Sequence, residues 1–467
     1  MRNYDMIVIG GGPAGYHAAA LGARQGLQVL LVEKNHLGGT CLNCGCIPTK
    51  SFCASAETAD SIREAAAMGI TLPGLESIRP DMQVIVARKD AIVASLREAV
   101  AAVVAGAVTV RGEASFLSPK TLLVHQKAEG ESAESSIPGL AHRFRTEGAD
   151  AIPHEGSDGQ GGDYFLATAP KIIVATGSVP ASLPVEGADL TLDSTGMLSL
   201  QSVPRSLAVI GGGVIGMEFA SIFASLGSEV TVIEYCREIL PPFDKDIAKR
   251  LRTALQRKGV RFHLGAQVTS VRQAEGVMKT VSFTAKGKAA EVSAESVLMA
   301  VGRRPLLPDG MEQGGYAVTP RGALVTDPRM ETSVEGVYAV GDCNGICMLA
   351  HAASAQAGKV MGEDIDLSVI PSAVFTVPEC AMAGLTEEEA INQGLDIAVG
   401  KSFFRANGKA CAMGQTEGLV KTIVDKASGT LIGCHICGPH ASDLIAEAAL
   451  AIACLLYPSP SPRAKAG

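Results

Sequence analysis

The chain has 467 residues, 47% hydrophobic and 19% charged, with aromatics at only 4% and no Trp. That composition excludes a disordered or collagen-like chain, and at roughly 150 residues per domain the length predicts about three domains. The formal charge of −8 is spread along the chain, with no basic stripe for nucleic acid and no Lys/Arg-rich amphipathic helix for a membrane surface.

The first predicted elements are the strand Met6–Ile9, the loop Gly10-Gly11-Gly12-Pro13-Ala14-Gly15 and an Ala-rich helix. A strand running through G-x-G-x-x-G into a helix is a dinucleotide cradle. Gly10 makes the tight turn, Gly12 lets backbone approach a pyrophosphate, and Gly15 packs helix on strand. The helix N-terminus adds N–H groups and positive dipole for the phosphates. The next predicted strand, Gln28–Val32, ends in Glu33, placed to accept a bond from a ribose hydroxyl. Met1–Asp5 runs directly into the first strand, which leaves no room for a signal peptide.

The stretch from Gly38 to Lys50 follows, with Cys41, Cys44 and Cys46 close together and Cys53 just beyond. In a straight helix an offset of five separates Cα atoms by roughly 8–9 Å, whereas a disulfide spans at most about 7 Å. A bridge between Cys41 and Cys46 therefore requires a bend, which Gly45 permits. As a metal site, C-x-x-C-x-C lacks a matching downstream pair. The irregular spacing of the 12 Cys argues for a reducing compartment, the cytoplasm, rather than a secreted disulfide scaffold.

Ala99–Val110 and, far downstream, Ala448–Leu456 are apolar runs too short to span a bilayer, and both are expected to be buried helix or strand. Residues 129–163, rich in Gly, Glu, Ser and Ala, are predicted to be a surface insertion of roughly 30 residues. Lys171–Val174 is a strand closing on Thr176-Gly177. The cradle then recurs: Leu207–Ile210 feeds Gly211-Gly212-Gly213-Val214-Ile215-Gly216, a helix over Met217–Leu226, and a strand Glu229–Ile233 that ends in Glu234. Two complete units imply two dinucleotides and electron transfer between them. Glu234 can bond a free ribose 2′-hydroxyl and would repel a 2′-phosphate, which favours NAD over NADP, although Arg237 lies close by in sequence.

Gly336–Ala339 leads to another strand ending in Gly341-Asp342, a turn whose Asp can hold a ribitol or ribose hydroxyl. Cys343 and Cys347 beside it are expected to be unpaired thiols. Pro371–Lys426 predicts strands and a helix over Thr386–Gln393. Cys434-His435-Ile436-Cys437 is expected to be buried strand rather than a redox or metal motif, and a helix is predicted over Leu444–Ala453.

The cysteine motif from Gly38 to Lys50, with the two cradles, resembles the FAD-dependent pyridine nucleotide–disulfide oxidoreductases (class I), from Tyr4 to about Ala453 apart from the insertion. Glu234 makes it most similar to the branch that oxidises dihydrolipoamide with NAD, and disfavours a glutathione-reductase type. The lack of a C-terminal Cys pair disfavours a mercuric-reductase type. The resemblance implies an α/β fold: two Rossmann-like dinucleotide-binding domains plus a C-terminal α+β dimerisation domain. The expected FAD-binding domain covers 1–195 and 309–367, the NAD-binding domain 196–308 and the interface domain 368–453, with an atypical Pro-rich tail over 454–467.

It further implies that Cys46 faces the flavin, that Cys41 exchanges with substrate, and that Lys50 lies at the flavin edge paired with Glu218. Gly10, Gly12, Gly15, Glu33, Lys50, Thr176, Gly177, Asp342, His351 and Ala352 would serve FAD. Gly211, Gly213, Gly216, Glu234 and Gly302 would serve NAD. Implied partners are a second copy of the chain and the lipoyl domain of a 2-oxoacid dehydrogenase or glycine cleavage complex, with neither nucleic acid nor membrane. Two departures stand out. Cys44 has no counterpart in the family pattern, and the C-terminal His-Pro motif with its Glu, which supplies the family's base, is missing. The sequence after Ala453 is Pro-rich instead, as a frameshift or truncation would leave it. The expected activity is therefore an impaired dihydrolipoamide oxidation, the alternative being an NADH-oxidising diaphorase subunit without disulfide turnover.

Overall fold

The computed structural model describes residues 1–71, 73–74, 78–127, 155–157, 163–311 and 314–455. Most of the expected insertion 129–163 and the tail beyond Leu455 lie outside them. Of the insertion, Glu155–Ser157 is a strand antiparallel to Asp163–Phe165. The chain divides into two compact units, one of Met1–Pro48, Asp90–Val179 and Arg303–Leu367, the other of Thr49–Lys89, Pro180–Gly302 and Ser368 onward.

In the first unit the parallel strands Val108–Ser118, Val29–Glu33, Met6–Ile9, Lys171–Val174 and Val337–Ala339 lie side by side in that order. Met6–Ile9 pairs with Val29–Val32 on one side and with Lys171–Val174 on the other. Both faces of this sheet are covered, so its strands read as continuous apolar runs, and Ile7, Leu30 and Ile172 are fully buried. The helix Pro13–Arg24 connects the first pair as a crossover. The sheet is extended by antiparallel pairing of Val108–Ser118 with Thr121–Gln126 and of that strand with Asp163–Thr168.

The second unit repeats the plan. Arg261–Leu264, Glu229–Glu234, Ser206–Ile210 and Ser296–Met299 form a parallel sheet, with the helix Val214–Leu226 as the crossover. An antiparallel three-stranded sheet, Ala266–Gln273, Lys279–Ala285 and Lys288–Ala294, accompanies it. A five-stranded antiparallel sheet over Ser372–Gly438 carries the helix Ala441–Ala453. Residues 49–89 join this unit because Phe52, Cys53, Ala56, Met82 and Val86 share one core with Met217, Phe219 and Val374.

The sequence expectations need two corrections. Ala99–Val110 is not buried: it is the end of the helix Met82–Val103 and the start of the next strand, and Val103 and Val108 are exposed while only Val100, Val104 and Val110 face inward. Ala448–Leu455 is likewise a one-sided helix end, with Ile452 buried and Leu450 and Leu455 exposed. Apolar runs can be amphipathic at helical spacing, and composition alone hides which side packs. Cys434-His435-Ile436-Cys437 is buried strand.

Candidate active site

Each cradle sits where the strand order reverses, the place at which open α/β sheets bind ligands. Gly10 and Gly211 take φ of 102° and 108°, a region closed to most side chains. A Cβ on Gly10 would collide with the Ala175 carbonyl oxygen, and one on Gly15 with that of Gly10. The second copy repeats both collisions, Gly211 against Ala300 and Gly216 against Gly211. The middle glycines differ. Around Gly12 the nearest atom to a built Cβ is Gly39 Cα at 3.9 Å, and around Gly213 nothing lies within 4 Å. Each middle glycine is also the N-cap of its helix, and no side chain caps it. Two glycines are thus closed by packing and one opens beside helix N–H groups, which fits a pyrophosphate at both sites.

Glu33 and Glu234 close the cradles in the same way. Gly11 N–H donates to Glu33 Oε2 at 2.6 Å and Asn35 N–H to Oε1 at 2.7 Å. Gly212 N–H donates to Glu234 Oε2, and Cys236 N–H to Oε1 at 2.5 Å. Each carboxylate is locked to its glycine loop with lone pairs to spare for ribose hydroxyls. Burial raises the Glu33 carboxyl above its ordinary range, against the bonds from Asn35 and Gly11. Arg237 is exposed.

The cysteine helix starts on the first cradle. Gly38 N–H donates to Gly11 O at 2.8 Å, and a Cβ on Gly39 would come within 2.6 Å of Gly12 Cα. The helix Gly39–Cys44 carries Cys41 and Cys44, ends at Gly45 (φ −132°, ψ −108°), and a new helix, Cys46–Glu64, begins at Cys46. The chain breaks between Cys41 and Cys46 at the glycine where the sequence requires a bend. A Cβ on Gly45 would lie 2.9 Å from Thr40 O, so the kink is closed to larger residues. In the second unit the matching contact, Leu240 N–H to Gly212 O at 2.8 Å, leads into a loop with no cysteine helix.

Lys50 lies one turn beyond Cys46 on the same helix. Within the second unit its Nζ is 2.9 Å from Glu218 Oε1 and 4.2 Å from the centroid of the Phe375 ring. Glu218 is buried and also accepts Phe375 N–H at 3.0 Å. One turn along, Ser221 Oγ accepts Val377 N–H at 3.1 Å. The helix Val214–Leu226 therefore holds both Lys50 and the segment Phe375–Val377. Burial, followed by the Glu218 charge, pushes the Cys53 thiol up to about 12, so Cys53 is inert beside it.

In the first unit, Ser178 Oγ donates to Asp342 Oδ2 at 2.5 Å. Arg303 holds Ser178 in turn, donating to its Oγ and to its carbonyl oxygen at 2.7 Å each. Gln356 Oε1 accepts Gly341 N–H at 2.7 Å and the buried Asn344 amide at 2.9 Å, which fixes the turn. Thr176 Oγ1 donates to Leu306 O at 2.5 Å, and Gly177 follows it in the same turn with φ of 72°. His351 is exposed and Ala352 buried in the first turn of the helix Ala350–Val360. Gly302, at the edge of the second cradle, has open space where a side chain would stand. Ser178, Arg303, Gln356 and Phe375 escape sequence reasoning because they act through distant partners. Ser178 and Arg303 stand directly after Gly177 and Gly302, which is their one visible signal, and Gln356 and Phe375 carry none.

Among the described residues no cluster of His, Cys, Asp or Glu could hold a metal ion, and no helix is long and apolar enough to cross a membrane.

Comparison with known proteins agrees with this geometry. Residues 4–357 match the profile described as pyridine nucleotide-disulphide oxidoreductase, and residues 370–459 its dimerisation domain. The chain is 38% identical to the dihydrolipoyl dehydrogenase of Chlamydia muridarum, over 96% of this chain and 90% of the relative. It is 37% identical to that of Geobacillus stearothermophilus, over 96% and 89%. Among solved structures, the HOCl-induced flavoprotein disulfide reductase RclA from Escherichia coli superposes with a TM-score of 0.78 at 27% identity, covering 99% of this chain and 98% of that one. Two glycine cradles, a cysteine helix seated on the first of them and near full-length matches lead to one conclusion: this chain belongs to the pyridine nucleotide-disulphide oxidoreductases, enzymes that work with FAD and a pyridine nucleotide.

Proposed function

We propose that the chain oxidises protein-bound dihydrolipoamide and passes the electrons to NAD, with Cys41 and Cys46 as its redox disulfide. The observation that carries this reading is the helix break at Gly45 between two cysteines, in a segment that starts against Gly12. The relatives named above support the substrate.

FAD would be held by Gly10, Gly12, Gly15, Glu33, Thr176, Gly177 and Asp342, with His351 and Ala352 at its ring, and when bound it would supply the two-electron relay to the nicotinamide. The protein's own part is thiol exchange. A dihydrolipoamide thiolate attacks Cys41 Sγ, the Cys41–Cys46 bond breaks, and Cys46 leaves as a thiolate. The second lipoyl thiol then displaces Cys41, closing the lipoyl disulfide and leaving Cys41 and Cys46 as a dithiol. Lys50, oriented by Glu218, offers positive charge one turn from Cys46, which favours the thiolate. Gly211, Gly213, Gly216 and Gly302 hold the pyridine nucleotide. Glu234, fixed by two backbone N–H groups, repels a 2′-phosphate and sets the preference for NAD.

The chain works in the cytoplasm as a homodimer with lipoyl domains as its partners. Residues 441–467 contain no His. That same absence favours a second reading, an NADH-oxidising diaphorase without disulfide turnover. Two assays on the flavin-loaded protein separate them, NAD reduction by dihydrolipoamide and dye reduction by NADH. On the first reading Cys41→Ser abolishes the former and spares the latter. Absence of lipoamide turnover in the unsubstituted protein, with dye reduction intact, selects the second. A preference for NADP over NAD in kcat/KM would overturn the role given to Glu234.

A further inference from the structure

We infer that Cys44 is a third exchanging thiol, forming with Cys41 an alternative disulfide that competes with Cys41–Cys46. The inference rests on the reading of Cys41 and Cys46 as the redox pair. Cys41 and Cys44 stand three apart on the helix Gly39–Cys44. A three-residue step brings Cα atoms to roughly 5 Å apart, on one face, inside the span of about 4.4–6.8 Å that disulfides occupy. The Cα span thus suits a 41/44 bridge. Cys44 is the last residue of the helix, beside Gly45, where the turn can tighten to bring the Cβ atoms from about 5–6 Å to the roughly 3.5–4.5 Å that a disulfide requires. The 41/46 pair depends on the full break at Gly45.

The two side chains between the thiols are held elsewhere. Leu42 points into a small core with Val93 and Val100. Asn43 is pinned, its amide donating to Leu37 O at 3.0 Å and Gly39 O at 2.8 Å while its Oδ1 accepts from Arg97. Cys41, Cys44 and Cys46 are all half-buried, so each is reachable. These anchors fix the rotation of the helix, and with it the shared face of Cys41 and Cys44.

The step is an exchange. Cys44 loses its proton to solvent, its thiolate attacks Cys41 Sγ, the Cys44–Cys41 bond forms as the Cys41–Cys46 bond breaks, and Cys46 leaves as the thiolate, which can take up that proton. One disulfide and one thiol are present before and after, so no oxidant is consumed. The product is a parked form, in which Cys41 is masked and Cys46 has no disulfide partner. The reverse exchange restores the working pair.

The test maps disulfides in the flavin-loaded protein. The air-oxidised protein is alkylated, reduced, alkylated again with an isotopically heavy reagent, and residues 41–46 are sequenced by fragmentation. In the unsubstituted protein Cys46 takes the light label in a measurable fraction of molecules, and Cys44→Ser removes that fraction. In Cys46→Ser, diamide closes Cys41–Cys44 and both positions take the heavy label. Flavin absorbance and far-UV circular dichroism confirm that each variant is folded. Light label at both Cys41 and Cys44 in oxidised, folded Cys46→Ser overturns the proposal, as does light label confined to Cys44 in the unsubstituted protein. Failure of Cys44→Ser to form the Cys41–Cys46 disulfide would instead count against the redox pair.

Discussion

At the scale of single residues, the three glycines of each cradle do different things, and the differences are testable. Gly216 meets the Gly211 carbonyl and Gly15 that of Gly10, so a methyl at either forces helix from strand. Gly216→Ala is expected to raise the KM for NADH tenfold or more, about 1.4 kcal/mol, while the purified protein keeps its flavin absorbance. Gly15→Ala should emerge depleted of flavin, and retention of full flavin content would contradict the assignment of the first cradle. Glu218 offers a second test, because it serves both Lys50 and the Phe375 N–H. Glu218→Gln keeps an acceptor and loses the charge, whereas Glu218→Ala also strands a backbone donor. Urea unfolding should show the Ala variant to be the weaker, with a loss of about 1.5–3 kcal/mol, and the Gln variant in between.

Among elements, the second unit relies on one buried charge cluster. Lys421, on the strand Leu419–Asp425, is 1% exposed. It reaches Asp244, the N-cap of the helix Lys245–Arg257, at 2.8 Å, Asp246 at 2.8 Å and Glu387 at 2.6 Å. Two helix N-termini, both favourable places for carboxylates, are thereby tied to one strand. Burial lowers the Lys421 amine, but bonds from Asp244, Asp246 and Glu387 outweigh it and hold the group above its ordinary range. Burial raises Asp246, and bonds from Lys401 and Lys421 outweigh that in turn and hold it low. A depressed carboxyl contributes stability above its unfolded value and loses it as pH falls through the folded one. A raised amine contributes below its unfolded value and loses it as pH rises through the folded one. The cluster is therefore stabilising across neutral pH. Lys421→Met should cost about 3 kcal/mol or more at pH 7, since it leaves carboxylates without their cation. The deficit, read by urea unfolding, should narrow below about pH 4 as those carboxylates protonate.

For the whole molecule, the 12 Cys divide by burial. Cys53, Cys343, Cys380, Cys434 and Cys437 are buried, and the others are half-buried or exposed. Burial pushes the Cys343 thiol up to about 12 and Cys434 to about 11. In reduced, folded protein at pH 8, iodoacetamide should label Cys41, Cys44, Cys46, Cys236, Cys347, Cys411 and Cys454, and spare the buried set until the chain is unfolded. The helix Ala441–Ala453 leaves Leu444 and Leu450 exposed within the segment that matches the dimerisation domain. The match to a dimerisation domain leads to the expectation that a second copy of the chain covers part of this helix. Sedimentation should find a dimer, shifted toward monomer by Leu450→Lys.

What the sequence determined by itself was whatever depends on near neighbours along the chain. The cradle glycines, the acids Glu33 and Glu234, the bend at Gly45 and the buried strand around His435 were legible because turn chemistry, helix rise and strand period act over a few residues. The same patterns could not say which side of Ala99–Val110 packs, since an apolar run acquires a face only when another element covers one side. Nor could they find Phe375 under Lys50, Arg303 behind Asp342, or Lys421 among three carboxylates, where the partners are separated by more than a hundred residues or the site exists only once strands and helices have packed. Tertiary structure decided those contacts because hydrogen bonds and ion pairs are selected by distance in space, and a buried charge is tolerable only where the fold brings its counter-charges to it.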